Sequence, residues 1–96
     1  MLQQAVTPEV SLVIPAYNES AVIVQAVREA EAALSERCTR YEIIVVDDGS
    51  NDGTTEKLAE LSGKIHHLRV IRHRSNRGYG AALASGFRAA RCPWVA

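Results

Sequence analysis

The stretch YEIIVVDDGSNDGT, residues 41–54, restricts the fold more than any other part of the chain. A run rich in β-branched residues ends in two adjacent carboxylates, Asp47 and Asp48, and passes into a turn-rich tail with two glycines. A companion run, VSLVI at residues 10–14, is almost as apolar and is closed by Pro15. Strands that are apolar on both sides are those covered on both faces, as in parallel sheets. Between the two runs lies one helix-length segment, residues 20–36. Its Ile23, Val27, Ala30 and Leu34 form a stripe, while Arg28, Glu29, Glu31 and Glu36 occupy other faces. Asn18 or Ser20 offers an N-cap.

The alternation continues. A helix is expected over residues 54–61, with Asp52 as its cap and Gly63 as its stop. A third strand is expected over 67–71 and a third helix over 79–91. Leu83, Phe87 and Ala90 form that helix's buried stripe, and Gly86 and the alanines suit close packing on a sheet. Residues 93–96 read as the opening of a fourth strand, and residues 1–9 as a flexible tail. The order β-α-β-α-β-α-β implies parallel strands and right-handed crossovers. In such sheets ligands sit beyond the carboxyl ends of the strands. Three loops reach that edge: residues 15–19, 47–53 and 73–80.

Composition narrows the classes. At 47% hydrophobic and 23% charged, the chain of 96 residues suits one globular unit rather than a disordered one. Net charge is zero, which argues against a nucleic-acid binder. The balance hides an asymmetry. Residues 1–60 carry all 11 acids and four bases, a net −7, and residues 61–96 carry seven bases and no acid, a net +7. The halves either attract each other on folding or form solvated faces. Cys38 and Cys92 stand far apart with no metal-ligand spacing, so two free thiols are expected. No signal peptide is visible at the start, and no apolar run approaches the roughly 20 residues that span a bilayer. A cytoplasmic location follows as an expectation, with attachment to the cytoplasmic face of a membrane left to segments outside this chain.

The loops carry the chemistry. A carboxylate at a strand's carboxyl end accepts hydrogen bonds from a base N–H or a sugar diol, binds a metal or acts as a general base, or else caps the following loop. Alternation sends Asp47 and Asp48 to opposite sides of the sheet, so one suits a structural role and the other a functional one. Glu19 is either a dipole-favoured residue at a helix start or a ligand contact. Tyr17 stacks on a flat base or covers the sheet edge, and Pro15 fixes the chain direction as the strand ends. Arg72, His73, Arg74, Asn76 and Arg77 precede Gly78-Tyr79-Gly80 at a helix start, an arrangement that suits either a phosphate or a surface turn. Together the loops offer acceptors for a nucleoside and donors for a diphosphate.

VIPAYNE (13–19), IVVDDGSNDGT (44–54) and NRGYGAALASGFRAA (76–90) resemble, in order and spacing, the opening of family 2 glycosyltransferases. The third block is most similar to the polyprenyl-phosphate branch, such as dolichyl-phosphate mannose synthases. The resemblance implies a Rossmann-like GT-A fold, of which residues 10–96 would be the nucleotide-binding part, incomplete at the fourth strand. It implies that Pro15, Tyr17, Glu19, Val46 and Asp48 contact a UDP- or GDP-linked sugar, with Asp47 supporting the loop or joining the pocket. It also implies a divalent cation, Mg or Mn, held by an Asp-x-Asp motif that this chain does not contain. The acceptor implied is a lipid phosphate, and the reaction an inverting displacement at the anomeric carbon. No catalytic residue and no metal ligand is assigned among the 96 residues, so the isolated chain is expected to be inactive.

Three rivals remain. A dinucleotide oxidoreductase requires Gly-x-Gly-x-x-Gly after the first strand, where this chain has PAYNES. A phosphoacceptor module wants a further Asp at a neighbouring strand end, where Pro15 and Arg72 stand. A non-catalytic piece that binds nucleotide or pairs with a subunit is the third, and the unpaired edge of a short fourth strand would favour self-association.

Overall fold

A computed structural model describes residues 8–96. The greater part of the expected flexible tail, residues 1–7, lies outside the described residues. Its last member, Glu9, opens the first strand.

The elements are β1 (Glu9–Ala16), α1 (Ile23–Arg37), β2 (Arg40–Asp48), α2 (Thr54–Ser62), β3 (Leu68–His73), α3 (Tyr79–Ala89) and β4 (Trp94–Val95). They form one parallel sheet in the order β3-β2-β1-β4. The expected alternation is therefore present. The strands run further than their apolar cores. β2 takes in Asp47 and Asp48, and β3 takes in Arg72 and His73, because each pairs in register with its neighbour: Asp47 with Arg72, and Asp48 with His73.

The central strand explains the apolar run. Ile43, Ile44, Val45 and Val46 are fully buried, each worth about 1.5–3 kcal/mol against exposure. Ile43 and Val45 face α1 and α2 in a cluster with Ile23, Val27, Leu58, Leu61 and Leu68. Ile44 and Val46 face α3 with Val13 and Ala82. Strand alternation thus divides the core into two layers.

Three local expectations are corrected. Helix α1 begins at Ile23, not near 20, and neither Asn18 nor Ser20 caps it. Their backbone groups are held elsewhere: the N–H of Asn18 donates to Ser50 Oγ, and that of Ser20 to Asp52 Oδ2. Glu19's carbonyl instead receives Val22 and Ile23, so the chain enters the helix through a turn. The cap of α2 is Gly53, and Asp52, one residue earlier, accepts Thr54's N–H at 3.0 Å. In α3 the buried positions are Ala82 and Gly86, while Phe87 is 48% exposed. Gly86 lies against Val13 so closely that a Cβ there would sit 2.3 Å from Val13 Cγ1. Small residues face the sheet, as expected of Gly86 and the alanines; Leu83 and Ala90 of the expected stripe pack partly buried against the same cluster, and Phe87 is the member turned aside.

Helix α3 is held by a buried carboxylate at each end. Glu42 accepts Ser11 Oγ at 2.6 Å, Arg69 Nη1 at 2.7 Å and the N–H of Arg91 at 2.7 Å, while Arg69 also donates to the carbonyl of Ala89. A guanidinium at a helix C-terminus and a carboxylate at the N-terminus both complement the helix dipole. The N-terminal carboxylate is Asp48. Arg69–Glu42 and Arg72–Asp47 join the basic and acidic parts of the chain. Cys38 and Cys92 are free thiols.

Candidate functional site

The sheet order reverses direction at β1, and the crevice at such a switch point is where parallel sheets bind ligands. Here the carboxyl ends of β1 and β2 and the start of α3 enclose a cleft of about 360 Å³. It is lined by Pro15, Ala16, Tyr17, Glu19, Asp48, Asn76, Gly78, Tyr79 and Ala82.

The loops around it are fastened to one another. Asn18, in the left-handed region at φ 52°, accepts the N–H of Asn51 on its side-chain oxygen. The N–H of Glu19 donates to Thr54 Oγ1, and Lys57 Nζ donates to the carbonyl of Ser20. The first loop is thereby pinned to the second. The second is pressed on the third at Gly49, whose φ is 77°. A Cβ there would lie 2.5 Å from the backbone nitrogen of Asn76.

The two adjacent carboxylates part company, as alternation requires. Asp47 faces α2. It is fully buried, accepts the N–H of Ser50 and the hydroxyl of Thr55, and has Arg72 Nε at 3.8 Å. It does not line the cleft. Asp48 faces α3 and does line it. Its Oδ1 accepts His73 Nδ1 at 2.7 Å and the N–H of Arg77 at 2.9 Å. Its Oδ2 accepts the N–H of Gly78 at 2.8 Å and Asn76 Nδ2 at 3.2 Å. Burial pushes this carboxyl up, but the bonds from His73, Arg77 and Gly78 outweigh it and hold Asp48 below the ordinary range. A carboxylate has about four acceptor positions, and all are filled.

Glu19 differs. Its backbone is anchored, yet its carboxylate reaches the cleft with no partner among the described residues. Tyr17, 46% exposed, and Tyr79, 71% exposed, stand at the rim. The first turn of α3 adds backbone N–H groups without intrahelical acceptors, and Arg77 lies beside it. The cleft can thus offer an anionic acceptor, flat aromatic faces and donors for an anion.

Pro15, Tyr17, Glu19 and Asp48 are brought together. Val46 is not among the lining residues; it is buried beneath α3 beside Val13 and Ala82. Asn76, Gly78 and Tyr79 belong to the cleft, although the sequence offered them only as a phosphate-type turn. His73 carried no sequence signal for its place, because its register opposite Asp48 depends on strand pairing. Among the described residues no three His, Cys, Asp or Glu side chains gather to hold a metal ion. No helix there is long and apolar enough to cross a membrane.

Comparison with known proteins agrees with this architecture. The family model described as glycosyl transferase family 2 matches residues 11–96. The dolichyl-phosphate beta-glucosyltransferase of Saccharomyces cerevisiae is 40% identical over 83 residues, covering 80% of this chain and 25% of that protein. The dolichol-phosphate mannosyltransferase of Mycosarcoma maydis is 35% identical over 89 residues, covering 88% and 30%. Among solved structures, the mannosyltransferase PcManGT from Pyrobaculum calidifontis, in complex with GDP-Man and Mn2+, superposes with a TM-score of 0.81 at 25% identity. That match covers 94% of this chain and 26% of the neighbour. The chain thus spans about a quarter of the length of the relatives it matches. With the motifs at 13–19, 44–54 and 76–90 all on the cleft side of a GT-A-type parallel sheet, the chain belongs to glycosyl transferase family 2.

Proposed function

We propose that the cleft binds the nucleoside diphosphate part of a sugar donor. The observation that carries this reading is the unpartnered Glu19 carboxylate, set across the switch-point cleft from the first turn of α3. Glu19 and Asp48 serve the nucleoside, Tyr17 and Pro15 shape its wall, and Val46 and Asp47 support from beneath. The GDP-Man held by the Pyrobaculum neighbour supports a donor of this kind.

In the whole protein the acceptor is a polyprenyl phosphate, as the names of the yeast and Mycosarcoma relatives suggest. Its phosphate oxygen forms a bond to the anomeric carbon from the face opposite the departing nucleoside diphosphate, which inverts that centre. A lipid phosphate is already anionic, so this nucleophile needs little help from a base. The Mn2+ of the neighbour supports a divalent cation in the complete enzyme. The described residues do not form its site: Asp47 is fully buried on the α2 side, the acceptor positions of Asp48 are filled, and no further carboxylate, His or Cys joins Glu19 there.

The test is an NMR titration of the chain with UDP and GDP. Shifts concentrated at Glu19, Asp48 and Tyr79 are expected. A spectrum unchanged at millimolar nucleotide would sink the reading.

A second reading, pairing of the chain with a partner subunit or another copy, is favoured by Trp94 and Val95, 67% and 43% exposed on the edge strand β4. Sedimentation across a range of concentrations distinguishes it, since a constant monomer mass argues against self-pairing.

A further inference from the structure

We propose that His73 is a positioning residue that presents Asp48 to the cleft, and that the side chain of Asn76 is the donor a bound nucleotide displaces. This rests on the nucleotide reading above.

Asp48 and His73 are register partners on adjacent strands, so both side chains emerge on the α3 face. His73 is 7% exposed, and both ring nitrogens are engaged: Nδ1 with Asp48 Oδ1 at 2.7 Å, Nε2 with Ser85 Oγ at 2.8 Å. Asp48 is ionised and can only accept, so Nδ1 carries a proton whether the ring is neutral or charged. In the neutral ring Nε2 accepts the Ser85 hydroxyl, and in the charged ring it donates to it. Either way α3, through Ser85, holds the imidazole, and the imidazole holds one oxygen of Asp48.

A ligand N–H or hydroxyl that takes Asp48 must therefore replace one of four donors. The N–H groups of Arg77 and Gly78 cannot leave without unwinding the loop at Gly78, whose φ is 103°. His73 is buried and doubly bonded. Asn76 is exposed, lines the cleft, and makes the longest contacts, 3.2 Å to Oδ2 and 3.3 Å to the Asp48 carbonyl. Its amide can leave by side-chain rotation alone. A bound nucleoside then takes the Oδ2 position, while Oδ1 stays on His73.

The experiment uses the chain itself, with UDP and GDP as probes and two variants. Asn76→Ala removes the competing donor, so nucleotide should bind roughly two- to tenfold more tightly, the span of one hydrogen bond. A residue of purely structural role would weaken binding when removed, so equal or weaker affinity overturns the assignment of Asn76. Ser85→Ala keeps the helix and removes the backing of His73. Roughly two- to tenfold weaker binding with little change in melting temperature is expected, and unchanged affinity overturns the assignment of His73. In the unmodified chain the His73 Nδ1–H signal should persist at saturation while the Asn76 amide pair shifts. Loss of the His73 signal would overturn the positioning role. If no cleft residue responds to nucleotide, the nucleotide reading falls together with this one. A responsive cleft with the opposite variant pattern overturns this inference alone.

Discussion

Gly49 and Asn76 stand with no room for a methyl group between them: a Cβ on Gly49 would approach the Asn76 backbone nitrogen to 2.5 Å. The residue that follows the two carboxylates is thus in backbone contact with the β3–α3 loop at Ser75 and Asn76. Gly49→Ala should combine a left-handed backbone penalty with a backbone clash, and lose at least about 2 kcal/mol of stability. Denaturant unfolding checks this, and a loss below ~0.5 kcal/mol would contradict the contact.

At Gly86 two effects compete. Alanine is favoured over glycine in a helix by about 1 kcal/mol. Overpacking costs about 1–3 kcal/mol, and the contact, 2.3 Å to Val13 Cγ1, is with a stiff β-branched side chain. Overpacking should win, so Gly86→Ala destabilises. The same change in a Val13→Ala background should cost less, since the contacts with both methyl groups are gone and only the Cβ of residue 13 remains, at 3.2 Å. A double-mutant cycle reads the coupling directly, and an additive result would count against the close approach.

The two cleft carboxylates should separate binding from stability. The Glu19 carboxylate has no partner to lose among the described residues, so Glu19→Gln should weaken nucleoside diphosphate binding by about 1.5–3 kcal/mol, the scale of hydrogen bonds to charged groups, with the melting temperature unchanged. Asp48→Asn should weaken binding and also lower the melting temperature, because His73, Arg77 and Gly78 lose a charged acceptor. Calorimetric titration and thermal melts of both variants decide this. Equal losses of stability would contradict the difference between them.

Acid should destabilise the chain in a particular window. Burial raises the Glu42 carboxyl, but the bonds from Ser11, Arg69 and the N–H of Arg91 outweigh it and hold it below its ordinary 4.5. Asp48 lies below its ordinary 3.8. Asp52 is lowered to about 2, chiefly by Thr54's hydroxyl. A group whose folded value is depressed contributes stability above its unfolded value and loses it as pH falls through the folded value. Stability should therefore be level above about pH 5, then decline from about pH 4.5 toward pH 2. Asp52→Asn should flatten the lowest part of the decline. A curve level down to pH 2.5 would refute the assignment of all three.

Much of this was legible in the chain. Continuous β-branched runs suit strands covered on both faces, as in a parallel sheet, and the alternation that separates Asp47 from Asp48 follows from a period of two. Pro15, Tyr17, Glu19 and Asp48 converge because all of them lie at or just beyond the carboxyl ends of the adjacent strands β1 and β2. What the sequence hid depends on pairing across the sheet. The register of β2 and β3 sets His73 beside Asp48, and nothing local reports it. The close packing of Gly86 and the alanines is legible, but which member of the bulky stripe leaves the sheet is not: Phe87 turns outward while Leu83 and Ala90 stay packed against the core. The α1 cap failed for a similar reason, since Asn18 and Ser20 had better partners in the next loop.

Helix α3, stapled by Glu42 at one end and Asp48 at the other, spans roughly 16 Å at 1.5 Å per residue. A strut anchored by charge at both tips cannot slide at one without straining the other. The first turn that walls the cleft is therefore held in place from both edges of the sheet, by Asp48 at the mouth and by Arg69 on the carbonyl of Ala89 at the opposite rim.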